Sequence, residues 1–237
     1  MRALILNSGK GTRMGEITEL HPKCMTKITE EDTILSRQLR QLSKAGIKEI
    51  VITTGPFAVL LKNCCQQLSL PVHFTFVRNP DFDSTNYIYS IYLAKEYLYD
   101  DILLLHGDLV FSDKVLEMVM SNKNSCMAIS STVPLPQKDF KAVVEGNKIF
   151  KVGVEFFTNA FAAQPLYKIL KKDWLIWLSE IIKFCEDNQK KCYAENAFNQ
   201  VSNLCNIFAL DVKNGLCNEI DDEVDLKNIR GILKNER

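Results

Sequence analysis

No apolar run in the chain approaches the roughly 20 residues needed to cross a bilayer, so no membrane insertion is expected. Neither sign of charge is in excess, since Lys+Arg and Asp+Glu both number 29. A balanced chain offers no electrostatic hold to a nucleic-acid backbone or an anionic membrane. Histidine is scarce, at positions 21, 73 and 106 only, and the eight cysteines include no Cys-x-x-Cys pair. Neither residue type has the ligand spacing of a zinc site. Most cysteines fall inside apolar segments and read as buried, reduced thiols, which implies a cytoplasmic location. The absence of a basic-then-apolar leader before the first strand fits that expectation. Repeats, low-complexity tracts and flexible linkers are also lacking. The 237 residues are therefore expected to form one domain, residues 1–237.

What is present is 46% hydrophobic and 24% charged, the make-up of an ordinary globular chain. The chain is organised around Ala3-Leu-Ile-Leu-Asn-Ser-Gly-Lys-Gly-Thr-Arg-Met-Gly15. Ala3 to Leu6 is long enough for a buried strand. Glycines at 9 and 11 let backbone N–H groups turn toward an anionic guest. Arg13 and, further on, Lys23 add fixed positive charge where a triphosphate would sit. The loop lacks the Gly-Lys-Ser/Thr ending of a P-loop. It also fails the dinucleotide Gly-x-Gly-x-x-Gly pattern, because position 14 is Met.

Beyond the loop, Thr33 can cap a helix bearing Ile34, Leu35, Leu39 and Leu42, with Gly46 as a stop. Strand patterns at 49–54, 72–77 and 101–106 alternate with helical patterns at 57–68, 84–99 and 112–121. Four such alternations predict a parallel sheet with helices on both faces, and unbroken apolar strands suit a doubly covered sheet. From Cys126 the pattern changes. Strands are expected at 126–133, 141–145 and 149–156, a long helix at 165–188 opening with Pro165, strands at 203–210 and 216–220, and a helix at 222–233. Trp174 and Trp177 share a helical face and read as packing. The strand-rich middle reads as an insertion folded onto the same sheet.

In parallel sheets, ligands bind beyond the carboxyl ends of the strands. The opening loop, Asn79 and Gly107-Asp108 all fall at that edge. A carboxylate at 108 suits a divalent cation bound to phosphate, and one or two protein carboxylates are usual there. The second candidate lies in Glu219-Ile-Asp-Asp-Glu-Val-Asp-Leu226.

Strand, Gly-x-Gly, Thr12-Arg13 and Pro22-Lys23 together resemble the signature of nucleotidyltransferases that join a nucleoside triphosphate to a phosphorylated small molecule. The family pattern reads L-A-A-G-x-G-x-R, a spacer, then P-K-x-L. This chain departs from it with Asn7-Ser8 in place of two small residues and Met25 in place of Leu. The resemblance implies a Rossmann-like, mostly parallel α/β sheet of the nucleotide-diphospho-sugar transferase kind. It implies Mg2+ held by Asp108 and Asp221, with Asp222 and Asp225 belonging to a helix start. Arg13 would grip the β- and γ-phosphates, and Lys23 would lie near the α-phosphate. Leu6, Asn7, Ser8, Gly9, Gly11, Thr12 and Gly107 would line the nucleotide site.

Residues 79–94, Asn-Pro-Asp-Phe-Asp-Ser-Thr-Asn-Tyr-Ile-Tyr-Ser-Ile-Tyr-Leu-Ala, are similar to a stretch of the small cytidylyltransferases that activate phosphocholine or 2-aminoethylphosphonate. Tyr193-Ala-Glu-Asn-Ala197 resembles another stretch of that branch. By this likeness Asn79, Ser84, Thr85 and Asn86 face base and ribose. Tyr193, Glu195 and Lys141 face an acceptor bearing a phosphate or phosphonate and an amine, and tyrosines 87, 89 and 92 or Phe157 supply an aromatic wall. The expected activity is cytidylyl transfer from CTP with release of pyrophosphate. Two rivals stand beside it: a sugar-1-phosphate uridylyl- or thymidylyltransferase, and a non-catalytic nucleotide sensor on the same fold. Base, acceptor and homodimerisation stay open at this point.

Overall fold

The computed structural model of the protein describes residues 1–235, and at Thr12, Arg13 and Glu16 the backbone alone. Strands β1 (Arg2–Asn7), β2 (Glu49–Thr54), β3 (His73–Arg78) and β4 (Ile102–His106) carry the alternating pattern of the first half. Helices α1 (Ile34–Lys44), α2 (Ala58–Gln67), α3 (Tyr87–Ala94) and, after a short β5 (Leu109–Phe111), α4 (Asp113–Ser121) run between or after them. The second half comprises β6 (Ser125–Ser130), β7 (Lys141–Glu145), β8 (Lys148–Gly153), β9 (Ala160–Ile169), α5 (Lys171–Glu186), α6 (Ala194–Val201), β10 (Ile207–Asp211), β11 (Cys217–Glu219) and α7 (Glu223–Asn235).

Nine strands form one sheet in the order β3-β2-β1-β4-β9-β6-β10-β8-β7, and β11 pairs with β5 in a separate ribbon. The β3-β2-β1-β4 half is parallel throughout. The half built from β9 onward is mixed: β9 runs antiparallel to both β4 and β6, while β6 and β10 are parallel. The strand-rich segment thus extends the same sheet.

The unbroken apolar strands serve two cores at once. Leu4 and Leu104 point into the core under α3, α5 and α6; Ala3, Ile5, Leu103 and Leu105 point into the one under α1, α2 and α4. Successive side chains of a strand face opposite ways, so neither face is left wet. A third core gathers Met14, Ile28, Ile34, Val110 and Ile220 beneath α7, tying the C-terminal segment to the opening loop region. Trp174 and Trp177 are fully buried in the first core, and their indoles donate to the carbonyls of Leu98 and Ala194.

Local chemistry explains most of the boundaries. Thr33 and Ser36 exchange side-chain and backbone hydrogen bonds at the start of α1, a capping box. Strand β6 stops at Ser130, where the expected strand ran on to Val133, because the Ser130 hydroxyl accepts from the N–H groups of Thr132 and Val133 and turns the chain. Helix α3 begins at Tyr87 rather than Ser84, with the Asn86 carboxamide as its cap.

The expected helix at 165–188 is corrected. Its first residues belong to β9, and α5 begins only at Lys171. The apolar run Leu166–Ile169 fits either element by pattern, and length on paper favoured one long helix. Pro165 falls where the β6–β9 register shifts, between the Met127–Tyr167 and Ile129–Ala163 pairs, and just past the last β4 pair at Leu105–Leu166. Proline is tolerated in a strand at such an irregularity, where no ladder N–H is required of it.

Candidate active site

The carboxyl ends of β1, β3 and β4 open into a cleft of about 470 Å³. Its lining includes Leu6, Asn7, Ser8, Gly9 and Gly11 from the opening loop and Lys23 from the turn after it. Asn79, Thr85, Asn86, Gly107, Asp108, Tyr193 and Asp221 complete the expected set that reaches it.

Two glycines are required by geometry. Gly11 has φ +69°, and a Cβ on it would lie 2.9 Å from the Lys23 Cβ. The loop therefore rests directly on the lysine it helps to position. A Cβ on Gly107 would fall 1.7 Å from the Asn7 Oδ1 and 2.7 Å from the Leu6 carbonyl oxygen. The Gly107 N–H instead donates to that carbonyl at 3.1 Å, drawing the end of β4 against the end of β1.

The central contact joins residues far apart in the chain. Lys23 Nζ donates to Asp108 Oδ2 at 2.5 Å and to Asp221 Oδ1 at 2.6 Å. The β11–β5 ribbon explains the meeting. Glu219 pairs with Leu109, and the next N–H, that of Ile220, donates to the Asp108 carbonyl at 3.0 Å. With Ile220 anchored in the third core, Asp221 is delivered beside Asp108. Asp222 and Asp225 do belong to the helix start: Asp222 accepts from the N–H groups of Val224 and Asp225, and Asp225 from those of Asp221 and Asp222.

Sequence spacing gave no role to the histidines, yet His106 sits at the centre of this group. Its Nδ1 lies 2.8 Å from Glu219 Oε1. One ligand atom each from His106, Asp108 and Glu219 falls within 4.8 Å of the others, the geometry of a candidate metal site. The signal missed was spatial: β4 and β11 place the three together, and no local spacing encodes that.

The charges are mutually tuned. Burial alone would lower the Lys23 pKa, but Asp108 and Asp221 outweigh it and hold the ammonium above its ordinary 10.5. Burial pushes Asp108 up, but the Lys23 ammonium and then His106 reverse that and hold its carboxyl below 3.8. Burial would likewise lower His106, yet Glu219 chiefly, then Asp108 and Glu195, raise it to about 9. Glu219 is pushed up to about 7 by burial and by the nearby Asp108 charge, against the pull of His106.

The other end of the cleft is aromatic. Tyr87, His106, Phe140 and Tyr193 touch in sequence, with ring centroids 5.1 Å apart for Tyr87–His106, 5.8 Å for Tyr87–Tyr193 and 4.9 Å for Phe140–Tyr193. Behind them lies Glu195. It is a residue of α6, 1% exposed. Its oxygens accept from the Tyr167 hydroxyl at 2.9 Å and from that of Tyr87. Burial, then the Glu195 charge, holds both phenols well above 10.

Several residues expected at the site lie off the cleft lining. Glu195 does not line the cleft and meets it only through Tyr87. Lys141 also lies off the cleft. It is fully buried, donates to the carbonyls of Pro136 and Asp139 at 2.7 and 3.0 Å, and covers the Phe157 ring, so it braces the loop that carries Lys138 and Asp139 to the lining. Ser84 is turned into its own loop, its hydroxyl 3.3 Å from the Asp81 carbonyl. Tyr89 and Tyr92 stack on each other away from the lining. The contacts expected of Thr12 and Arg13 lie outside the described residues.

A doubly covered sheet with a glycine loop, a lysine and paired acids at its carboxyl edge defines a nucleotidyltransferase, and solved enzymes of the nucleotide-diphospho-sugar transferase fold superpose on it. Residues 3–144 match the MobA-like NTP transferase domain, and the chain belongs to that family. Among curated relatives, it is 24% identical to the choline-phosphate cytidylyltransferase of Streptococcus pneumoniae over 244 residues, spanning 100% of both chains. It is 25% identical to the CTP:phosphoglutamine cytidylyltransferase of Campylobacter jejuni over 201 residues, 78% of each. It is 32% identical over 137 residues to the CMP-5'-(3-aminopropyl)phosphonate synthase of Streptomyces rubellomurinus, a match covering 57% of this chain and only 21% of that enzyme. The solved CTP:phosphocholine cytidylyltransferase of S. pneumoniae aligns over 98% of both chains, with TM-score 0.78 and 18% identity. The inositol-1-phosphate CTP transferase of T. maritima aligns over 98% of this chain and 96% of that one, with TM-score 0.79 and 21% identity. At such identity these structures speak for the fold. No helix among the described residues is long and apolar enough to cross a membrane.

Proposed function

We propose that the chain transfers a cytidylyl group from CTP to a small phosphate or phosphonate that also bears an amine, releasing pyrophosphate. The observation that carries the reading is the Lys23 ammonium shared between Asp108 and Asp221 inside a cleft floored by the glycine loop.

The donor set fits a hard divalent cation. Carboxylate oxygens of Asp108 and Asp221 already converge on one positive charge, and Glu219 stands within reach of Asp108. Oxygen donors of this kind, together with phosphate oxygens, are what Mg2+ prefers. Asp108 and Asp221 would hold the ion, which when bound supplies charge neutralisation at the phosphates.

In the reaction, an oxygen of the acceptor phosphate or phosphonate attacks the α-phosphorus of CTP. The bond from the α-phosphorus to the bridging oxygen breaks, and pyrophosphate leaves with that electron pair. No side-chain nucleophile is needed; positioning and charge stabilisation supply the rate. An ammonium has three N–H donors. Without an ion, two of Lys23's are given to the acids; with the ion on those carboxylates, the ammonium would turn its donors to a phosphate oxygen in the cleft.

The aromatic end supports a cationic acceptor. The faces of Tyr87, Phe140 and Tyr193 attract an ammonium; the His106 charge in the same row is offset by Glu219, and the Glu195 carboxylate behind Tyr87 adds negative potential through the phenol. A sugar 1-phosphate would bring no positive charge to that wall.

The test is pyrophosphate release with each of CTP, UTP, dTTP and ATP, with Mg2+, and with phosphocholine, 2-aminoethylphosphonate and glucose 1-phosphate as acceptors. CTP with an amine-bearing acceptor should give the fastest release. Faster release with UTP or dTTP and glucose 1-phosphate would replace this reading with sugar-nucleotide synthesis.

A further inference from the structure

The side-chain hydrogen bonds that read the nucleoside need not come from the residues whose pattern suggested it. Asn79 is 1% exposed and already committed. Its Nδ2 donates to Thr85 Oγ1 and Ser90 Oγ, both at 3.0 Å, and its Oδ1 accepts from the Asp81 N–H at 2.9 Å. Thr85 donates its own proton to the Asp81 carbonyl at 2.7 Å. This group holds the loop's shape and has little left to offer a ligand.

Asn7 and Ser8 are the opposite case. They line the cleft at the end of β1, 8% and 7% exposed, where the family pattern has two small residues. Asn7 Nδ2 and Ser8 Oγ are buried and have no hydrogen-bond partner among the described residues. Turning the Asn7 carboxamide over leaves an unpartnered oxygen there instead, so a polar atom is orphaned in either orientation. Such groups cost the free protein roughly 1–3 kcal/mol each, so a buried pair of them in a cleft wall calls for a ligand. The carboxamide also occupies the space that a side chain at 107 would need. Asn7 and Gly107 are thus sterically matched, and the amide lies against the Gly107 backbone, next in the chain to Asp108.

We propose that Asn7 and Ser8 form a polar subsite, additional to the family pattern, that hydrogen-bonds the nucleoside part of the bound triphosphate. This rests on the nucleotidyltransferase reading above. The ligand atoms are the ring carbonyl and amine of a pyrimidine or the hydroxyls of its ribose.

Asn7→Ala and Ser8→Ala, the family-like residues, test it by titration calorimetry with CTP and with 2'-deoxy-CTP, and with inorganic tripolyphosphate as the probe that lacks a nucleoside. Each variant should weaken CTP by roughly 5- to 30-fold, the value of one or two modest hydrogen bonds, and leave tripolyphosphate unchanged. An effect lost with 2'-deoxy-CTP assigns the contact to the ribose; one retained assigns it to the base or the remaining hydroxyl. The ligand-free melting temperature should hold or rise, because each change removes an unpaired polar group; a purely structural role would lower it. Unchanged CTP affinity in both variants overturns the proposal, as does an equal loss for tripolyphosphate. If Asn7→Ala does not fold, Asn7→Ser and Ser8→Ala carry the same test. Failure of the unaltered protein to bind CTP at all would sink the functional reading instead, so the two failures are distinguishable.

Discussion

Replacing Lys23 with Ala removes an ammonium that touches both Asp108 and Asp221. Lys23's side chain is 10% exposed and those of the acids 22% and 19%, so water can relieve little of the resulting repulsion. Breaking a buried pair by deleting one partner costs about 3–5 kcal/mol. The remaining exposure brings that to about 2–4 kcal/mol here, or a fall in melting temperature of about 5–15 °C for a chain of this size. The loss should be conditional. In EDTA the variant should melt far below the unaltered protein. Mg2+ at about 100 times its Kd should return about 2.7 kcal/mol by mass action, more than the unaltered protein gains, since there the ammonium competes for the same oxygens. The acid limb should move as well. The Lys23 charge holds Asp108 below 3.8 against its burial, so its contribution is complete above pH 3.8 and fades as the pH falls further. Without Lys23 the folded carboxyl rises, and acid unfolding should begin at a higher pH. Differential scanning fluorimetry over pH, with EDTA and with Mg2+, reads all three effects. A Lys23→Ala protein that melts with the unaltered one in EDTA would refute the reasoning, because the two carboxylates would then not be crowded.

Asp108→Asn and Asp221→Asn should each cut turnover by about 100-fold or more, the scale of losing one charge-stabilising group at a transferring phosphoryl; near-normal pyrophosphate release by either would exclude that acid from the chemistry. Lys141→Met should release the 136–139 loop that its ammonium braces and raise the acceptor KM several-fold while sparing that of CTP, a split that initial-rate kinetics resolves. Gly107→Ala should destabilise the fold by about 2 kcal/mol or more through its overlap with Asn7 and Leu6. Asn7→Ala in the same chain should recover only part of that, because the Leu6 carbonyl remains in the way; full recovery in thermal melts would show that the backbone approach of β4 to β1 is slack.

How far the sequence could be read depended on whether a feature was local. The parallel half was legible because each strand is an apolar run with its own breakers, and the Thr33 cap sits within a few residues of what it binds; the Asn86 cap, two residues past the expected helix start at Ser84, was not read. The convergence of Lys23, Asp108 and Asp221 was legible only through motif resemblance, since nothing local brings positions 23 and 221 together; the β11–β5 register does. The β9 strand was not legible, because Leu166 to Ile169 suits either period and Pro165 looks like a helix start until the register shift opposite it is known. Helix α6 is short, and its start is held by the Asn196 carboxamide oxygen accepting from the Tyr193 N–H, a contact that composition does not advertise.

The same distinction separates residues that carry a motif from residues left to meet a ligand. Asn79 and Glu195 stand in the stretches most similar to the cytidylyltransferases, yet both have their polar atoms engaged by the protein: Asn79 by Thr85, Ser90 and Asp81, Glu195 by two tyrosines. A hydrogen bond already made inside the fold can shape a site but adds little affinity, since a ligand must break it first. Asn7 and Ser8 sit where the chain departs from the pattern, and theirs are the polar atoms left without partners among the described residues of the opening loop. Motif strength locates the cleft, while the balance of donors and acceptors picks out the groups with free energy still to give. If the proposed subsite holds, restoring the family pattern at positions 7 and 8 should cost affinity for the nucleoside.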